Sequence, residues 1–161
     1  DSWRWAGVPF FIRAGKCLPV TCTEVLVRLH RAPKMFPGCS GVPNHFRFRI
    51  SPDMTIAIGT TVMDPEDRMT GQPVELTASH RAGAQEMDAY ERVLSDAMAG
   101  DRTLFAREDY VEEAWRIVDP VLKADTPVYP YEPGTWGPAQ VIGSMTPPGG
   151  WLDPTTSDPV T

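Results

Sequence analysis

No run of apolar residues in this chain is long enough to span a bilayer, and no basic-then-apolar segment opens it, so neither a membrane helix nor a secretory leader is read within residues 1–161. Cysteine is scarce. The three present, Cys17, Cys22 and Cys39, are an odd number with neither zinc-ribbon spacing nor the density of a disulfide framework, and reduced thiols in the cytoplasm are expected. Cys17 and Cys22 also lack the two-residue spacing of a redox motif. Positive charge is in deficit, with 15 Lys and Arg against 21 Asp and Glu and a formal charge of −6, which argues against nucleic acid or an anionic membrane as partner while leaving room for a local basic pocket. No glycine-rich phosphate loop is found. Gly149-Gly150 and Gly38-Cys39-Ser40-Gly41 lack the strand-to-helix setting that such a loop needs. There is no nucleophile elbow and no Ser/His/Asp order for hydrolysis. His30, His45 and His80 are not spaced as metal ligands and are read as structural.

What remains is an ordinary globular composition, 42% hydrophobic and 22% charged, and enough chain to close one core. The first half reads as strands. Val8-Pro9-Phe10-Phe11-Ile12 is a nearly continuous apolar run that suits a buried strand ending at Gly15. In the segment 23–30, Val25, Val27 and Leu29 alternate with Arg28 and His30; in 44–50, Phe46, Phe48 and Ile50 are expected to point inward and His45, Arg47 and Arg49 outward. Residues 54–60 and 73–78 are further strand candidates. Pro33, Pro37, Gly38, Gly41 and Pro43 punctuate one connection, and Asp64-Pro65-Glu66-Asp67 marks another.

The period changes after residue 86. Met87, Tyr90, Val93, Leu94, Ala97 and Met98 recur at three and four, predicting an amphipathic helix stopped by Gly100, after which Asp101 can cap a short turn carrying Leu104 and Phe105. Val111, Ala114, Trp115, Val118 and Leu122 form a second stripe, which Pro120 should kink or end near Asp119. Both stripes read as core, and Asp88 and Glu91 as helix-start and packing residues rather than an acid pair. From about Thr126 the chain is rich in Pro, Gly, Tyr and Trp and is expected to run as an extended strap with its aromatics anchored in grooves. The organisation expected is one domain over 1–155, strap included, with a disordered tail at 156–161.

Chemistry has to come from a few polar residues. Gly15-Lys16 is the best placed, since glycine permits tight backbone passage and lysine presents a compact, mobile cation suited to a phosphate. For an isolated lysine the default remains a solvated surface charge. Arg28, Arg47 and Arg49 could line the same pocket or form a solvated or ion-paired sheet face, and the second option is favoured for Arg28 and Arg47.

Four ordered blocks then carry a resemblance: Gly7-Val8-Pro9-Phe10-Phe11-Ile12-Arg13-Ala14-Gly15-Lys16, Met87-Asp88-Ala89-Tyr90-Glu91-Arg92, the stretch from Phe105-Ala106-Arg107-Glu108-Asp109 through Glu113-Ala114-Trp115-Arg116-Ile117-Val118-Asp119-Pro120, and Thr135-Trp136-Gly137-Pro138. Over roughly residues 3–138 the chain resembles the C-terminal part of the glucose-6-phosphate dehydrogenases, bacterial type. The resemblance implies an α+β fold, a large and mainly antiparallel sheet backed by helices. It implies that the intact protein is an enzyme oxidising glucose 6-phosphate with NADP, the cofactor being bound, like the catalytic histidine motif, by a segment upstream of Asp1. It further implies that Lys16 contacts the sugar phosphate, that the chain carries no catalytic residue and is not active alone, and that the sheet mediates self-association. An opening Asp1 rather than Met suits an internal fragment. Two departures stand out. The family usually places a second Lys or Arg five residues after the lysine, where this chain has Thr21, a hydroxyl without charge. Animal members hold a second, structural NADP through basic residues at positions here occupied by Leu26 and Trp136, so that extra site is expected to be absent. A rival expectation is a non-catalytic module that binds sugar phosphates or heterodimerises with an intact dehydrogenase.

Overall fold

The computed structural model describes residues 3–31, 33, 43–64, 71–80 and 87–155. Pro37, Gly38 and Gly41 of the first connection, the cysteine at position 39, Pro65, Glu66 and Asp67 of the second, and the tail beyond residue 155 lie outside the described residues. The chain divides into two compact units, one of residues 1–81 with 130–161 and the other of residues 82–129.

In the first unit, strands β1 (Thr23–Arg28), β2 (His45–Ser51), β3 (Met54–Met63) and β4 (Gly71–His80) form one antiparallel sheet in the order β1-β2-β3-β4. Each strand coincides with an alternating or β-branched segment of the sequence, and neighbours in the chain are neighbours in the sheet, the arrangement that short connections favour. The register pairs Val25 with Phe48 and Phe48 with Ile56, and it pairs Phe46 with Ile58 and Ile58 with Leu76. These side chains share one face. Glu24, Arg47, Arg49, His45 and Glu75 share the other, through the pairs Glu24 with Arg49, His45 with Gly59 and Gly59 with Glu75.

The two faces are reversed relative to the expectation for residues 44–50. Arg49 is 8% exposed and Ile50 57%. The charged face is the buried one because it brings its own counterions and is covered by the chain's C-terminal stretch. Glu24, with a side chain 6% exposed, accepts from Arg47 Nη1 at 2.7 Å and from Arg49 Nε and Nη2 at 3.1 and 3.0 Å. Arg49 also donates to the Thr155 carbonyl at 2.9 Å, and Arg28 donates to the carbonyls of Pro148 and Gly150 at 2.6 and 2.7 Å. A buried charge is tolerable when paired and hydrogen-bonded in this way. Gly59 lies beneath the His45 imidazole, where a Cβ would fall 2.0 Å from Cε1. The apolar face, with Val25, Phe48, Ile56, Ile58 and Leu76, is open.

The segment 8–12 is not a strand. It lies in no ladder, with Phe10 and Ile12 exposed. Pro9 has no N–H to give a ladder. Side chains fix the segment instead: Trp5 meets Phe10 edge-on at 5.5 Å, and Phe11 meets Trp151 at 6.5 Å.

The second unit holds α1 (Ala89–Ala99) and α2 (Glu108–Lys123). Asp88 caps α1 by accepting from the Tyr90 N–H at 2.9 Å, and Gly100 ends it in the left-handed region at φ 73°. Asp101 accepts from the Thr103 N–H and hydroxyl, which hold its carboxyl below the ordinary carboxylate range. The sign follows: this stabilisation is present at neutral pH and is lost as the pH falls through the lowered pKa. Helix α2 does not end at Asp119 but runs through Pro120 to Lys123. None of its residues is buried, so water can take the Arg116 carbonyl that proline leaves without a donor. The helical stripes formed as expected, yet their side chains are exposed, Trp115 and Leu122 among them. A short α3 (Ala139–Ile142) belongs to the first unit.

Candidate functional site

Lys16 sits in a bend at the end of the irregular N-terminal segment, and it is exposed. Among the described residues its ammonium has no carboxylate partner. The next residue, Cys17, is a non-glycine residue in the left-handed region, at φ 56°. Two donors from the strap hold the bend. The Tyr131 hydroxyl donates to the Lys16 carbonyl at 2.6 Å, and the Gly134 N–H donates to the Cys17 carbonyl at 2.8 Å. Gly15 is needed for proximity rather than for an unusual φ: a Cβ there would lie 3.2 Å from Tyr131 Oη and 3.4 Å from Leu18 Cδ2.

Arg13 anchors the same segment. Its guanidinium lies between the rings of Trp136 and Trp151, 4.1 and 4.4 Å from their centroids, and pairs with Asp153. Arginine suits this position because its flat, weakly hydrated cation can stack on aromatic faces while bonding a carboxylate. Beside it a groove of about 370 Å³ is lined by Phe10, Gly15, Leu18, Tyr131 and Trp151 among others. The strap was legible by its aromatics and prolines, although it carries turns and α3 rather than running extended throughout. Its partners were not, since no local pattern ties Tyr131 to Lys16 or Trp151 to Arg13.

The other sequence candidates are placed elsewhere. Thr21 is exposed, two residues before β1. Arg28, Arg47 and Arg49 are committed to the strap carbonyls and Glu24, as an ion-paired sheet face. Leu26 lies on that face opposite Arg47, and Trp136 stacks on Arg13. His30 is exposed, and His80 closes β4. His45 Nε2 is buried without a hydrogen bond, 3.5 Å from Glu75 Oε2. No cluster among the described residues could hold a metal ion, and none of their helices is long and apolar enough to cross a membrane. Gly149 and Gly150, at φ 82° and 83°, form a turn against Arg28 rather than the entrance to a helix.

The family model for the glucose-6-phosphate dehydrogenase C-terminal domain matches residues 1–149. The chain belongs to this family. It is 41% identical over 143 residues to glucose-6-phosphate 1-dehydrogenase of Aggregatibacter actinomycetemcomitans, covering 86% of this chain and 29% of that one. It is 38% identical over 160 residues to glucose-6-phosphate 1-dehydrogenase 1 of Mycobacterium tuberculosis strain H37Rv, covering 96% and 33%. The crystal structure of the Mycobacterium avium glucose-6-phosphate 1-dehydrogenase superposes with a TM-score of 0.81 at 39% identity, over 98% of this chain and 34% of that one. A glucose-6-phosphate dehydrogenase solved in complex with glucose 6-phosphate shares the fold at a TM-score of 0.57 and 20% identity, over 81% and 28%. The chain thus spans about a third of the length of the relatives it matches. Its α+β architecture, an antiparallel sheet with a few helices, is that of the dehydrogenase C-terminal domain.

Proposed function

We propose that this chain is the substrate-binding and self-associating part of a cytoplasmic, NADP-dependent glucose-6-phosphate dehydrogenase, which converts glucose 6-phosphate to 6-phosphogluconolactone in the pentose phosphate pathway. The observation that carries the reading is Lys16, an exposed cation with no carboxylate partner among the described residues, on a bend fixed by two strap hydrogen bonds, in a chain of this family. A dianionic phosphate is a natural partner for such a group, since hydrogen bonds between charged partners are the strong ones. By holding the phosphate, Lys16 fixes the sugar relative to the residues that do the chemistry, an orienting role that converts binding into rate.

In this reading NADP is held by residues outside those described, and no hydride or proton step is assigned to the present ones. Self-association is supported by the open apolar face of the sheet, an exposure that soluble proteins usually cover.

The test is Lys16→Ala in the native full-length polypeptide, with glucose 6-phosphate varied at saturating NADP. Losing one charged hydrogen bond to the phosphate should raise KM for glucose 6-phosphate about ten- to a hundred-fold. An unchanged KM would sink the assignment of Lys16. Absence of dehydrogenase activity in the native polypeptide would sink the enzyme reading and leave a sugar-phosphate-binding module, which calorimetry with glucose 6-phosphate would detect.

A further inference from the structure

We infer that Tyr131 is a positioning residue for the substrate phosphate, acting through the backbone of Lys16. The inference rests on the reading of Lys16 given above. A lysine ammonium is carried on a flexible four-carbon stem, so the volume it sweeps is set by the direction in which the backbone launches the side chain. Here the launching point is an exposed bend whose next residue, Cys17, occupies the left-handed region that non-glycine residues enter reluctantly. Such a conformation persists only where its surroundings hold it.

The strap supplies that hold. The Tyr131 hydroxyl and the Gly134 N–H donate to consecutive carbonyls of the bend, those of Lys16 and Cys17, at 2.6 and 2.8 Å. Gly134 is itself in the left-handed region, at φ 79°. Its turn is closed by the Thr135 hydroxyl, which donates to the Glu132 carbonyl at 2.7 Å. Gly15 completes the arrangement from the other side, because a side chain at that position would meet the tyrosine oxygen at 3.2 Å. The bend and the strap are therefore fitted to each other at three successive residues, 15 to 17. The Tyr131 oxygen is spent on the Lys16 carbonyl, and its effect on substrate passes through the lysine.

A double-mutant cycle in the native full-length polypeptide tests this, comparing wild type, Tyr131→Phe, Lys16→Ala and the double variant with glucose 6-phosphate varied at saturating NADP. Tyr131→Phe should raise KM about three- to ten-fold, the loss expected of one neutral hydrogen bond, while kcat at saturating substrate is retained. In the Lys16→Ala background the same change should add nothing, because two groups acting through one contact are not additive. Gly15→Ala, which crowds the hydroxyl, should move KM in the same direction as Tyr131→Phe. Equal factors in both backgrounds would overturn the inference while leaving the Lys16 assignment standing, and so would a Tyr131→Phe enzyme with unchanged KM or one that loses kcat. A Lys16→Ala enzyme with unchanged KM would overturn both.

Discussion

Glu24 joins two strands of the sheet through a single buried carboxylate. Its oxygens serve Arg47 and Arg49 separately, and all three side chains are largely removed from water. Removing Glu24 leaves Arg49 buried with only the Thr155 carbonyl and Arg47 with only Glu75, 3.6 Å away, which costs far more than the arrangement contributes over an apolar isostere. Glu24→Ala should therefore destabilise the protein by about 3–5 kcal/mol, read from the urea midpoint at constant slope. A loss below about 1 kcal/mol, the range of exposed pairs, would show that water reaches the cluster. The sequence displayed the alternation that separates Glu24 and the arginines from the valines and phenylalanines. It could not display which side would be covered, because period two is the same read from either face. The deciding fact is tertiary: carbonyls of Pro148, Gly150 and Thr155 arrive over the arginines from more than a hundred residues away.

The four strands and the two long helices were legible, since each carries its own period together with local stop signals such as Asp88 and Gly100. The failed strand is equally local in cause: Val8 to Ile12 has the composition of a strand but finds no ladder. Of the two outcomes that Pro120 allowed, ending the helix is excluded, because an exposed final turn tolerates a missing N–H. The strap announced itself by its aromatics and prolines without revealing what they hold. Its latch is the sandwich of Arg13 between Trp136 and Trp151. Trp151→Ala removes one ring from the cation and the edge contact to Phe11, and should cost about 1–3 kcal/mol from the two contacts together. Under limited proteolysis the variant should be cut within residues 130–155 faster than wild type, with the pattern in β1 to β4 preserved. Equal cleavage rates would mean that the strap is held without Trp151.

The sheet face and the helical stripes are both apolar and exposed, a kind of surface that soluble proteins usually cover. Ile58 and Leu76 stand opposite each other on the open face, across β3 and the edge strand β4. Replacing both by Glu in the native full-length polypeptide places like charges on a surface proposed to meet its own copy, and should shift the species seen by light scattering to monomer while circular dichroism is unchanged. An assembly of unaltered mass would exclude this face from self-association. Lys16 illustrates the limit of legibility at this level. Residue type and neighbours marked it, but what fixes it in space is written at the far end of the chain.

That distance has a consequence for biosynthesis. The Tyr131 to Lys16 hydrogen bond spans 115 positions of sequence, so the Lys16 bend leaves the ribosome well before the residue that holds it. A nascent or nonsense-truncated polypeptide ending after α2 would carry the lysine in full and yet lack its final geometry. Completion of the strap is thus the step that closes the bend, and losing the strap by premature termination or proteolysis would release the proposed phosphate anchor from a distance.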